Sequence, residues 1–248
     1  MLIAEALEGA YPKAGNVSPL NEGPFKYLDL LVEAWRLKRV CEMTLPLGKR
    51  YYTFLTSQRV TALAGFAILS IPLFDCLSRG LKMGRCGRDI VRGSSPEDAY
   101  WYLKALRDSG LSHLRRVEGR DYPNVERPEE VFEKGWNLEY VFKRVADTIS
   151  LEIIRGYPLS TEGAHYLLEN GIERIRELQR IILSKSIDDL VARKWGLRVA
   201  YELTLAAREG LHEKFIEEKG LNPGTTADII GVSVLIALSE LLRRRELW

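Results

Sequence analysis

The stretch Gly220-Leu221-Asn222-Pro223-Gly224-Thr225-Thr226-Ala227-Asp228 brings a chain break, two hydroxyls and a carboxylate within one short span. Pro223-Gly224 ends whatever precedes it, and the apolar run from Ile229 to Leu242 predicts a buried helix that begins within Thr225–Asp228. Thr225 with Asp228 three positions on has the form of a capping box. The first turn of a helix carries free N–H groups and the positive end of the dipole. Gly224, Thr225 and Thr226 are therefore candidates to seat a phosphate, Gly224 by letting a ligand approach the backbone. Asp228 beside such an anion points to a divalent cation bridging the two. The plainer reading is that Pro-Gly-Thr-Thr is simply a good helix start.

Other chemistry-bearing groups lie far from it in sequence. Tyr11-Pro12-Lys13-Ala14-Gly15-Asn16-Val17 has Pro and Gly fixing an irregular backbone around one lysine, Lys13. Ser186-Ile187-Asp188-Asp189 reads as a second capping box, Ser186 facing Asp189, and opens a helix that runs through Arg193 and Lys194 to about Arg208. Helix-dipole capping accounts equally for Asp188 and Asp189, and an i,i+4 pair with Asp189 accounts for Arg193. Asp147 and Glu152 sit five apart on a presumed helix, which leaves them about 140° apart around its axis. Residues 81–95 carry Gly84, Gly87 and Gly93 among Lys82, Arg85, Arg88 and Arg92, a glycine-spaced basic loop able to cradle phosphate. No strand precedes it and no GK[ST] ends it, so it meets neither nucleotide fingerprint. His113, His165 and His212 have no Ser or Cys partner pattern and read as structural or solvated.

The elements that must position these groups read as helices almost throughout. Leu2 to Ala10 is a short helix bearing Glu5. Phe25 to Cys41 is amphipathic, with Tyr27, Leu28, Leu31, Ala34 and Trp35 facing inward. Lys49-Arg50-Tyr51-Tyr52 has weak periodicity and reads as loop or a short extended piece. Thr61 to Ser78 is the most apolar helix, expected at the centre and ending at Arg79-Gly80. Ser95-Pro96-Glu97-Asp98 is a helix start in every letter. Residues 110–128 form the longest irregular segment and the candidate for a mobile lid. Long helices follow over about 128–155, with a possible break near Gly135, then 160–183 and 186–208. Strand-type alternation is nearly absent, so the expected architecture is an all-α bundle formed by residues 1–248 as a single domain.

Composition narrows the class. With 36 basic against 34 acidic side chains the net charge is +2, which argues against a nucleic-acid coat. Pro72 and Asp75 interrupt the apolar stretch at 60–77, so a buried helix is expected there and not a membrane span. The N-terminus turns charged at Glu5, too soon for a signal peptide. Cys41, Cys76 and Cys86 show no CxxC spacing and suit a reducing, cytoplasmic setting with no metal among them. Glutamine is confined to Gln58 and Gln179, a hint of a thermophilic source.

Taken together the motifs resemble the triphosphoribosyl-dephospho-coenzyme A synthase family, in its archaeal-type branch. Glu5 with Pro12-Lys13-Ala14-Gly15-Asn16-Val17 is similar to the family's E…PKPGNV opening. Asp147-Thr148-Ile149-Ser150-Leu151-Glu152 is similar to its D-x-I-x-R-E helix. Asp188 to Gly196 resembles its D-[ST]-L-I-A-R-K-x-G segment, and Asn222 to Asp228 its N-P-G-[AT]-T-A-D signature. Departures fall at Ser18-Pro19-Leu20 and Asn21-Glu22-Gly23-Pro24, where the family carries a His and an Asp. They fall also at Val60-Thr61-Ala62-Leu63-Ala64-Gly65, which lacks the family's Asn, and at Leu151, which replaces its Arg.

The resemblance implies transfer of the triphosphoribosyl part of ATP to a ribose hydroxyl of dephospho-CoA with release of adenine. Displacement at an anomeric carbon needs a carboxylate to deprotonate the acceptor, Mg²⁺ to hold the triphosphate, and fixed donors for the remaining charge. Those needs assign Asp188 and Asp228 as metal ligands and Asp147 or Glu152 as the base. Lys13, Arg193, Lys194, Gly224, Thr225 and Thr226 are assigned to the phosphates. The expected partners are the nucleotide and a dephospho-CoA-like acceptor, with no nucleic acid and no membrane; a homodimer is one possible assembly. The alternative is a diverged member that binds a nucleotide or phosphate without turnover, which the departures near 18–24 and 60–65 favour.

Overall fold

The computed structural model describes residues 1–21, 23–80, 83–111 and 122–244. The lid expected at 110–128 and His113 fall largely or wholly outside that set, as do Lys82 and Arg245. Among the described residues there are fifteen α-helices and no strand, which makes the fold all-α. By contacts the chain divides into two compact units, one of residues 1–34 with 159–248 and the other of residues 35–158.

The first unit is discontinuous in sequence. It contains α1 (Leu2–Ala10), the start of α2 (Tyr27–Cys41), and then α10 (Pro158–Asn170), α11 (Ile175–Lys185), α12 (Asp189–Trp195), α13 (Leu197–Arg208), α14 (His212–Lys219) and α15 (Gly224–Arg244). Residues Ile229–Ala237 of α15 are buried on every face, as the unbroken apolar run predicts. Helices α1, α11 and α12 pack against α15, and α13 packs on α11, α12 and α14. A side core of Leu183, Val191, Ala200, Leu203, Ala207, Ile216 and Leu221 joins the ends of these helices.

The second unit holds α3 (Leu47–Leu55), α4 (Ala64–Ser78), α5 (Met83–Arg92), α6 (Pro96–Asp108), α7 (Glu130–Lys134), α8 (Leu138–Val145) and α9 (Thr148–Arg155). Helix α4 is the central rod, entered through a 3-10 turn at Thr61–Leu63 and left at Arg79-Gly80. Ser95 caps α6 in a full capping box with Asp98, whose second oxygen accepts from the Gly48 N–H at 2.8 Å. That bond brings α3 onto α6, with Tyr51, Tyr102 and Phe142 stacked edge to face behind it.

Several expectations are corrected. Lys49–Tyr52 is part of α3, with Arg50 turned inward to make a two-pronged pair with Asp75. The basic glycine stretch is no phosphate loop. It folds as α5, and its glycines permit close packing: a side chain on Gly87 would strike the Tyr157 ring, and one on Gly156 would strike the Gly84 carbonyl. The face of α2 that turns inward carries Leu30, Glu33, Ala34, Leu37 and Val40, one step round from the expected stripe. Leu28, Val32 and Trp35 lie outward. The long helices are each cut, at Gly135, Ala146, Gly171 and Gly196, all with positive φ. Cys76 and Cys86 are joined in a disulfide between α4 and α5, a pairing that spacing alone does not signal; Cys41 remains a buried thiol.

Candidate active site

Glu5 and Glu8 are three residues apart on α1 and therefore on one face of it. Both are buried, as is Lys13 just beyond the helix. The Lys13 ammonium lies 2.7 Å from Glu8 Oε1 and donates to the Glu8 carbonyl at 2.6 Å. Asp228, in the second turn of α15, completes the group. Burial first, then the charge of Glu8, then that of Asp228 hold the Glu5 carboxyl well above the ordinary carboxylate range, with Lys13 pulling the other way. Glu5, Glu8 and Asp228 thus share one neighbourhood with two cationic groups, Lys13 and the N-terminal ammonium.

The loop carrying Lys13 is pinned from two sides. Gly15 has φ +75, and a Cβ on it would meet the Leu221 carbonyl and lie 2.9 Å from both Ile216 and Pro223. No other residue fits where the opening motif presses on the segment before α15. Asn16 Nδ2 donates to Asn222 Oδ1 at 3.2 Å, and Gln179 Nε2 on α11 donates to the Ala14 carbonyl at 2.9 Å and to Asn16 Oδ1 at 3.1 Å. Motifs separated by some two hundred residues are thus joined by side-chain amides.

Asp188 holds the start of α15 from the other side. Its Oδ1 accepts from the Val191 N–H at 3.0 Å; its Oδ2 accepts from the Thr226 N–H at 2.8 Å and the Thr226 hydroxyl at 2.9 Å. The Leu190 N–H donates to Thr225 Oγ1 at 3.2 Å. One carboxylate therefore caps α12 and neutralises the first turn of α15. Burial raises its pKa while the Thr226 and Val191 donors oppose the rise. This corrects two expectations. The cap of α12 is Asp188 and not Ser186, and the Thr226 N–H expected to meet a phosphate is already satisfied by Asp188. With three donors on it and almost no exposure, Asp188 is a clamp between helix starts and has little left for a metal.

The remaining predicted residues lie elsewhere. Arg193 and Lys194 are exposed at the end of α12, Lys194 over the Trp195 ring at 5.7 Å. In the second unit Asp147 caps α9 by accepting from the Ser150 N–H at 2.8 Å. Glu152, buried one turn on, raises the pKa of the buried Tyr157, second to the effect of burial itself.

Among the described residues no three His, Cys, Asp or Glu side chains stand ready to enclose a metal unaided. Magnesium in nucleotide sites takes one or two carboxylates and fills its octahedron with phosphate oxygens and water. Of the grouped acids, the half-buried Asp228 is the carboxylate whose exposure fits that mode.

The protein-family model CitG, described as ATP:dephospho-CoA triphosphoribosyl transferase, matches residues 2–246. The chain belongs to this family. A crystal structure from Archaeoglobus fulgidus, provisionally named a triphosphoribosyl-dephospho-coA synthase, is similar at 28% identity with a TM-score of 0.66, covering 84% of this chain and 95% of that one. No curated protein matches. The resemblance carried by the four sequence motifs is therefore confirmed, and three of the four, the first, third and last, meet in the first unit around Glu5, Lys13, Asp188 and Asp228.

Two residues of this buried group escape a reading of motifs. Glu8 lies one turn beyond Glu5 and in sequence looks like an ordinary helix acid; the signal was the i,i+3 pair of carboxylates on a helix otherwise made of small and apolar residues. Gln179 sits in the middle of an amphipathic helix, and nothing in its neighbours' types marks it as buried.

Proposed function

We propose that the protein transfers the triphosphoribosyl group of magnesium–ATP to a ribose hydroxyl of dephospho-CoA or a close relative and releases adenine. The single observation that carries this reading is the family match over nearly the whole chain; the grouped acids beside Lys13 supply a place for the chemistry. The C1′–N9 bond of ATP breaks as a C1′–O bond forms, the acceptor hydroxyl loses its proton to a carboxylate, and adenine takes up a proton as it leaves. Asp228 would share magnesium with the triphosphate, which neutralises and orients that chain of phosphates. Lys13, now paired with Glu8, provides positive charge beside it. Glu5 is the carboxylate we assign to the acceptor proton and to shielding the cationic character at C1′.

The test is adenine release from ATP with magnesium and dephospho-CoA. Adenine formed by the wild type and lost in Asp228→Asn supports the transferase. Nucleotide binding with no adenine under any condition establishes the second reading, a binding protein without turnover, for which the residues at 18–24 and 60–65 speak. Glu5→Gln at saturating substrate tests the base: loss of the rise of kcat with pH supports Glu5, and an unchanged rise rules it out.

A further inference from the structure

We propose that Gln179 is a positioning residue for this site: its side-chain amide sets the place of Lys13, and through Asn16 the register of the opening loop against the start of α15. The inference rests on the transferase reading above. Gln179 is fully buried on α11, and both of its N–H donors are engaged by the loop, on the Ala14 carbonyl and on Asn16 Oδ1. Asn16 passes the chain on, Nδ2 to Asn222 Oδ1, and its own carbonyl accepts from Asn21 Nδ2 at 3.2 Å. Lys13 immediately precedes the first anchored residue, and Asn222 stands two residues before α15, which carries Asp228. The two elements that bring Lys13 and Asp228 to the charge cluster are thereby referred to a single amide.

The opposite end of Gln179 argues that stability alone does not account for it. Its Oε1 is buried and has no hydrogen-bond partner among the described residues. A buried polar atom left unpaired is unfavourable, and an apolar side chain of the same length would remove that burden. What an apolar residue cannot do is donate twice to the loop. Directionality is also fixed: Gln179 gives hydrogen bonds to the loop and takes none from it, so a carboxylate of the same shape fails at both acceptors.

The experiment compares wild type with Gln179→Met, which keeps the volume, and Gln179→Glu, which keeps the shape without the donors. Steady-state adenine release gives kcat and KM for magnesium–ATP, and thermal unfolding is followed on the same samples. We expect KM for ATP to rise at least about tenfold in both variants with kcat at saturation within about threefold, the split that loss of ground-state phosphate positioning produces. Asn16→Ser, nearer the surface, gives the same KM effect if a Gln179 variant does not fold. The double variant Asn16→Ser/Gln179→Met is expected to raise KM by much less than the product of the single effects, because both break one chain. Folded variants with lowered unfolding temperatures but wild-type KM and kcat would overturn the assignment and leave the transferase standing. A wild type that releases no adenine under any condition would overturn the transferase and this inference with it.

Discussion

Glu5 is a carboxyl kept where ionisation is costly, and the sign of its effect on stability follows. Its folded pKa is raised above the ordinary 4.5, so the folded state holds a proton that the unfolded chain has already released. Stability is therefore lost as pH rises from about 4.5 through the folded value. Glu5→Gln, which cannot ionise, should unfold at a higher temperature than wild type at pH 8, with the difference shrinking toward pH 5, and should release little adenine. A lower midpoint at pH 8 would contradict the account. His212 shows the opposite sign. It is buried with neither ring nitrogen hydrogen-bonded among the described residues, and burial lowers its pKa; Glu213 opposes that shift, while Arg180 and Arg176 add to it. The unfolded chain takes up the proton first, so stability falls as pH drops below about 6.5. In denaturant melts between pH 7 and 5, His212→Leu should flatten that decline. Neither behaviour is legible from residue type: Glu5 and His212 look like any surface acid or histidine until burial is known.

At the scale of elements, the helix starts that were legible are those whose partners lie within the same few residues. Ser95 with Asp98 is the example, since both halves of the capping box are local. The start of α15 lies at Gly224, one residue before the expected span, and its chemistry differs from the expectation because its anion is Asp188, brought from another helix. Likewise α3 and α5 were missed because glycine and mixed basic-aromatic composition speak against a helix locally, while the close approach of Asp98 to Gly48 and of Tyr157 to Gly87 that makes glycine necessary is a tertiary fact. Gly15 gives the sharpest test of such an approach. Its positive φ and the lack of room for a Cβ predict that Gly15→Ala loses about 2–4 kcal/mol in chemical denaturation, from strain together with overpacking. It should also weaken ATP binding, since the strain falls on the loop that carries Lys13. An unchanged denaturation midpoint would mean the loop is not held against Leu221 and Pro223.

For the whole molecule, the all-α class and the family were legible because periodicity and motif order survive divergence, whereas the division into two compact units and the Cys76–Cys86 link were not: cysteine spacing says nothing about which helices touch. The disulfide closes a short loop, ten residues apart in sequence, and in the chain-entropy picture such a closure contributes on the order of 2–3 kcal/mol. Unfolded without reductant, the protein should show one titratable thiol, that of Cys41, which burial shields in the folded state by pushing its pKa up to about 12. Reduction should lower the unfolding midpoint by several degrees, roughly 2–4 °C for each kcal/mol in a chain of this size. Three titratable thiols and an unmoved midpoint would show that the link does not form.

Unit membership also sets an order of events on the ribosome. Residues 35–158 are contiguous and can settle as soon as they emerge, but α1 and the Lys13 loop find their partners only when α11 and then α15 have been made, about two hundred codons later. At ordinary elongation speeds that interval is on the order of ten seconds or longer, during which the amino-terminal acids and the lysine are solvated and unassembled. The proposed nucleotide site is accordingly the last part of the protein to form, and nascent chains stalled before Asn222 should bind no ATP although their middle portion is already folded.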